Sequence, residues 1–105
     1  MTLTRSFREI VKDRVMRNPD FRVGLLTEAI ECLLNDEISV AKVLLRDYVN
    51  ATVGFEELGV LTQKNPKSLM RMLSPRGNPS LKNISSLLAS LKEHEGVKLR
   101  VRVAR

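Results

Sequence analysis

The sequence predicts an all-α protein of six helices, followed by one short C-terminal strand. Apolar residues recur every three or four positions through most of the chain, which is the period of an amphipathic helix. The interruptions are helix starts: Asn18-Pro19, Asn65-Pro66 and Asn78-Pro79 each place a capping residue before a proline, whose fixed φ and missing N–H suit a first helical turn. Only Val97–Val103 alternates with a period of two.

Ser6-Phe7-Arg8-Glu9 opens the first helix as a capping box. Phe7, Ile10, Val11 and Val15 follow at helical spacing, and the helix ends near Asn18 because proline disfavours helical geometry in the residue before it. The second helix carries the wide stripe Phe21, Leu25, Leu26, Ala29, Ile30, Leu33 and Leu34. Asn35-Asp36-Glu37 breaks it, and Ile38, Ala41, Leu44, Leu45, Tyr48 and Val49 make a third stripe. Two long helices joined by a few polar residues form a helical hairpin.

Gly54 ends the third helix or turns the chain into the fourth, which is short, with Phe55, Leu58 and Leu61 apolar. Thr62-Gln63-Lys64-Asn65 is a turn, and a fifth helix runs from Asn65-Pro66 to about Leu73. In it Leu69, Met72 and Leu73 fall on one side, to pack on Leu58, Leu61 and the last helix. Lys67, Ser68 and Arg71 then point outward, with Met70 near the edge. After the loop Ser74–Asn78, the sixth helix turns Leu81, Ile84, Leu87, Leu88 and Leu91 inward.

The last segment is different. Val97, Leu99, Val101 and Val103 share one face, and Lys98, Arg100 and Arg102 the other. A lone strand leaves its backbone groups unpaired. Those four apolar residues are therefore expected at a dimer interface, against the same segment of a second copy or the edge of a partner's sheet. A frayed basic tail is the plainer alternative.

With 105 residues and 43% apolar content, the chain is one domain with a single core. Residues 6–53 supply the N-terminal helices, 54–91 the second helical unit and 97–103 the strand. No apolar run approaches the roughly 18–20 residues of a membrane span; the longest, Val40–Leu45, is interrupted by Lys42. The N-terminus lacks the apolar stretch of a signal peptide, so a cytoplasmic protein is expected. Cys32, in an apolar helical setting, reads as a small buried hydrophobe. It is the one cysteine and His94 the one histidine. Far apart and in unlike settings, they make neither a zinc site nor a Cys–His pair. No acid–base pair or Gly-rich phosphate loop is present either. Neither an enzyme nor a cofactor is expected.

Charge gives the strongest lead. Residues 1–53 hold eight cations and eight acids, whereas residues 54–105 hold ten cations and four acids. From Leu58 to Lys92 there is no acid at all, yet there are six cations: Lys64, Lys67, Arg71, Arg76, Lys82 and Lys92. A solvated basic helix face would look the same, but a one-sided excess is also what a phosphate-binding surface needs. The short fourth and fifth helices with their turn have the lengths of a helix-turn-helix, whose second helix enters the major groove. Lys67, Ser68 and Arg71 are groups suited to base edges. Lys64, Arg76 and Lys82 are placed to hold phosphate. Free amides at the Asn65 and Ser80 helix starts can donate to phosphate oxygens.

The block Asp47-Tyr48-Val49-Asn50-Ala51-Thr52-Val53-Gly54-Phe55-Glu56-Glu57-Leu58, followed by Pro66-Lys67-Ser68-Leu69-Met70-Arg71-Met72-Leu73-Ser74-Pro75-Arg76-Gly77-Asn78-Pro79, resembles the addiction-module antidote proteins. These are HigA-like antitoxins with a Cro/repressor-type helix-turn-helix. The likeness covers the second half closely and extends to the preceding hairpin. It implies a homodimer that binds a palindromic operator in its own promoter. It also implies a toxin partner of RelE/ParE-like fold, encoded alongside and neutralised by direct contact. By position, Lys64, Asn65, Lys67, Ser68 and Arg71 match the DNA-reading segment, and Arg76 the loop after it. The chain departs from the pattern twice: Gly59 stands where alanine is usual, and Gln63 where the turn usually has glycine. Two other readings use the same residues. One is a stand-alone phage-type repressor without a toxin; the other is an interaction module whose basic face meets an acidic partner or RNA.

Overall fold

Asn18 sets the start of the first fully bounded helix. The structure, a computed structural model, describes residues 9–10, 13–14 and 17–105. The Asn18 Oδ1 accepts from the Asp20 and Phe21 amides at 3.0 and 3.2 Å, and α1 (Pro19–Leu34) follows. A turn through Asp36, at φ 62°, leads to α2 (Ile38–Ala51). Gly54, at φ 82°, then redirects the chain into α3 (Phe55–Thr62). α4 spans Pro66–Met72 and α5 spans Leu81–Glu95. Ser80, rather than Asn78, caps α5: its hydroxyl accepts from the Asn83 amide at 3.1 Å. Gly96, at φ 77°, ends it, and the Val97 amide donates back to the Lys92 carbonyl at 3.0 Å. That 6→1 bond closes a Schellman motif.

α1 and α2 pack along each other as the expected hairpin. Their inner residues Leu26, Ala29, Leu45, Tyr48 and Val49 join Phe55 and Leu58 of α3, Leu69 and Leu73 beside α4, and Leu87 and Leu91 of α5 in one core. Burying each leucine contributes about 1.5–3 kcal/mol before entropy is counted, and α3 packs against both α2 and α5 as well as α4. Cys32 is buried.

Three expectations need correction. Five helices, not six, have full bounds among the described residues. Glu9, Ile10, Asp13, Arg14 and Arg17 are helical, but the Ser6 capping box and Phe7, Val11 and Val15 lie outside the described residues. Residues 97–103 form no strand. Alternation states which side chains would share a face, but a ladder needs a neighbour, and helices satisfy their own amides and offer no edge. Val97 and Leu99 are half-buried, while Val101 and Val103 are exposed. The apolar stripes also run wider than the core. Leu61 is exposed on α3 and Leu81 is 85% exposed at the start of α5.

Tyr48, in the core, meets Glu95 at the end of α5. The Tyr48 hydroxyl donates to Glu95 Oε1. Arg22 Nε lies 3.1 and 3.0 Å from the two carboxylate oxygens, with a second guanidinium nitrogen 3.0 Å from Oε2. The bolt ties α1, α2 and α5 together.

Candidate nucleic-acid interface

The short helix pair is shaped by two residues that sequence propensity alone counts as weak. Gln63 adopts the left-handed conformation, φ 56° and ψ 41°, and ends α3. The Lys64 amide then donates back to the Gly59 carbonyl at 3.0 Å. This brings the turn onto the face of α3. A Cβ on Gly59 would lie 2.8 Å from the Lys64 carbonyl oxygen and 3.0 Å from the Pro66 ring. Gly59 is a requirement of close approach, and its low helix propensity is the cost of that contact.

Asn65 starts α4 by accepting the Lys67 amide on Oδ1 at 2.8 Å. Proline at the next position fits because its missing N–H would have no helical partner. Along α4 the division between faces is as predicted. Leu69 is 1% exposed and Met72 packs against the core, whereas Lys67, Ser68 and Arg71 are exposed, with Met70 beside them.

The loop after α4 folds back on the helix end. The Ser74 hydroxyl donates to the Arg71 carbonyl at 2.7 Å, and the Gly77 amide to the Ser74 carbonyl at 2.9 Å. A Cβ on Gly77 would sit 2.1 Å from the Arg71 carbonyl oxygen, so no other residue fits there without moving the loop. Lys42, from α2, holds the loop from below. Its ammonium donates to the Gly77 carbonyl at 2.7 Å and the Pro75 carbonyl at 3.1 Å. This lysine is only 6% exposed and among the described residues has no carboxylate partner; two backbone oxygens accept its protons instead. Arg76 lies between the two anchored carbonyls and is exposed.

Asn65, Lys67, Ser68, Arg71 and Arg76 are thus brought onto one supported unit. Lys64 is half-buried in its turn, and Lys82 stands exposed in the first turn of α5. Among the described residues none of Lys64, Lys67, Arg71, Arg76 and Lys82 pairs with a carboxylate. Cations without a carboxylate partner are available to an external anion. The expected interface residues Val97, Leu99, Val101 and Val103 lie on the segment after α5.

Sequence reasoning missed three participants. Lys42 is legible only as an interruption of an apolar run. Tyr48 reads as core, and Glu95 as part of a polar helix end, yet the two share a hydrogen bond. No pattern signals pairs this distant; a buried position on a helical stripe occupied by lysine is the one available hint for Lys42.

No group of His, Cys, Asp and Glu among the described residues could hold a metal. No helix among them is long and apolar enough to cross a membrane. The chain matches no family model, no curated protein and no solved structure.

Proposed function

We propose that this chain is a DNA-binding antitoxin that represses its own operon through α3 and α4 and neutralises a RelE/ParE-like toxin. One observation carries the DNA half. α4 buries Leu69 and turns Lys67, Ser68 and Arg71 outward, within a stretch of sequence that has no acid, and among the described residues neither Lys67 nor Arg71 is paired with a carboxylate. A helix anchored on one side and bearing donors on the other suits major-groove readout. Lys64, Arg76 and Lys82 flank it in the chain and supply phosphate contacts, and Asn65 fixes the helix start. The protein acts as a homodimer on a palindromic operator, each copy reading one half-site.

The toxin half rests on the resemblance of the second half of the sequence to antidote proteins. Its support from charge is that the hairpin exposes Asp20, Glu28, Glu31, Asp36, Glu37 and Asp47, opposite in sign to a small basic toxin. The terminal segment, with Lys98, Arg100 and Arg102, would repel such a partner.

A duplex from upstream of the gene, titrated at rising salt, tests the DNA half. Binding should exceed that of a scrambled duplex and weaken steeply with salt. Equal, weak binding to both would reject it. Co-expression with the neighbouring gene tests the other half: a co-purifying small basic protein supports the antitoxin reading. Operator binding without such a neighbour would leave a stand-alone repressor.

A further inference from the structure

Lys42 is the one buried charged residue among the described residues. Its neighbours on α2, Ala41 and Leu45, belong to the buried interior. An ammonium taken out of water is costly unless its protons are accepted. An apolar side chain at this place would pack without that cost. Both printed bonds of the lysine go to one destination, the loop after α4: the Pro75 carbonyl at 3.1 Å and the Gly77 carbonyl at 2.7 Å. Away from water such charge-assisted bonds are strengthened.

Arg76 is the residue between those two carbonyls, and the only charged one from Ser74 to Asn78. The loop is tied at two further points, from the Ser74 hydroxyl to the Arg71 carbonyl and from the Gly77 amide to the Ser74 carbonyl. Arg76 therefore combines a backbone held on both sides with an exposed side chain that no carboxylate holds among the described residues. A loop ordered in advance spares the entropy that a mobile one would lose on meeting a ligand.

We propose that Lys42 is a positioning residue for DNA binding. It meets no phosphate itself; through the Pro75 and Gly77 carbonyls it holds Arg76 where that guanidinium takes one. The role rests on the DNA-binding reading above, and it makes a residue of α2 part of a contact made by the loop after α4. The two residues are coupled: Arg76 contributes only while Lys42 holds the loop, and Lys42 contributes only through Arg76.

A double-mutant cycle on the full-length chain tests it. Binding of the upstream duplex is followed by fluorescence anisotropy over a range of salt for the wild type, Arg76→Ala, Lys42→Met and the double variant. Arg76→Ala removes one phosphate contact and should lower the salt slope by about 1. Lys42→Met should lower it equally, and the double variant by about 1 rather than about 2. Lys42→Met combined with Arg71→Ala should instead lose the product of two separate losses. By NMR relaxation the Arg76 backbone amide should be as ordered as α5 in the wild type and loosen in Lys42→Met. Thermal melts check the fold, and Lys42→Gln takes the place of the methionine variant if that one does not fold. An unmoved slope in the Lys42 variant, independent losses for Lys42 and Arg76, or an unchanged amide would each overturn the proposal while DNA binding stands. A wild type that binds no duplex would overturn both.

Discussion

The Lys42 ammonium lies 2.7 Å from the carbonyl oxygen of Gly77, thirty-five residues away, and fixes the loop that displays Arg76. Lys42→Met keeps the packing volume but leaves the Pro75 and Gly77 carbonyls without this donor. The expected loss is about 1–3 kcal/mol of stability, read by urea unfolding. DNA affinity should fall with it, although Lys42 itself is buried. Unchanged DNA affinity would show that the loop position does not matter to binding.

Gln63→Gly should stabilise the fold. The residue sits at φ 56°, where glycine has no steric penalty. The gain is up to about 1 kcal/mol, measured as a shift in unfolding midpoint.

Gly59→Ala should act in the opposite direction, despite the higher helix propensity of alanine. Its methyl would meet the Lys64 carbonyl at 2.8 Å, and overpacking of this kind costs about 1–3 kcal/mol. A more stable alanine variant would contradict the close approach of turn and helix.

Acid should loosen the bolt between α1, α2 and α5. Burial raises the Glu95 carboxyl, but hydrogen bonds from Arg22 and Tyr48 outweigh it and hold the group below its ordinary value of 4.5. The unfolded chain therefore takes up this proton at higher pH than the folded one. The contribution is fully present above the unfolded value and is lost as pH falls through the lower folded value. Burial and the same carboxylate raise the Tyr48 hydroxyl, which stays protonated and donating throughout. Glu95→Gln should flatten the acid limb of a melting-temperature profile and cost about 1–3 kcal/mol at neutral pH. A parallel acid limb in the variant would exclude Glu95 as its source.

Two classes of DNA effect should separate. Arg71→Ala should cost about 1–3 kcal/mol on the operator and relax discrimination among bases. Lys82→Ala should weaken all duplexes alike and lower the salt slope by about 1. If both variants behaved alike on operator and random DNA, α4 would not be reading sequence.

Much of this architecture was legible because it is local. Asn18 and Asn65 announce their helices by chemistry that acts within three residues, and both accept the amides expected of a cap. The outward set Lys67, Ser68 and Arg71 follows from helical period alone. Gly59 reads in the sequence only as a departure from the resembled pattern, because propensity describes a helix in isolation and ignores the turn that arrives beside it. The terminal segment was misjudged for a related reason: period two describes a strand's faces, not whether a neighbour exists. Lys42 and Glu95 were invisible because their partners lie far along the chain. The identity of any DNA sequence or protein partner is not encoded in such periodicities.

The bolt between Arg22 and Glu95 joins residues 73 positions apart. During synthesis Arg22 leaves the ribosome long before its carboxylate partner exists. α1 and α2 can pair early, but Arg22 and Tyr48 have no Glu95 to bond until α5 is complete. A chain interrupted before Glu95 would leave the Arg22 guanidinium and the Tyr48 hydroxyl without the carboxylate that joins them.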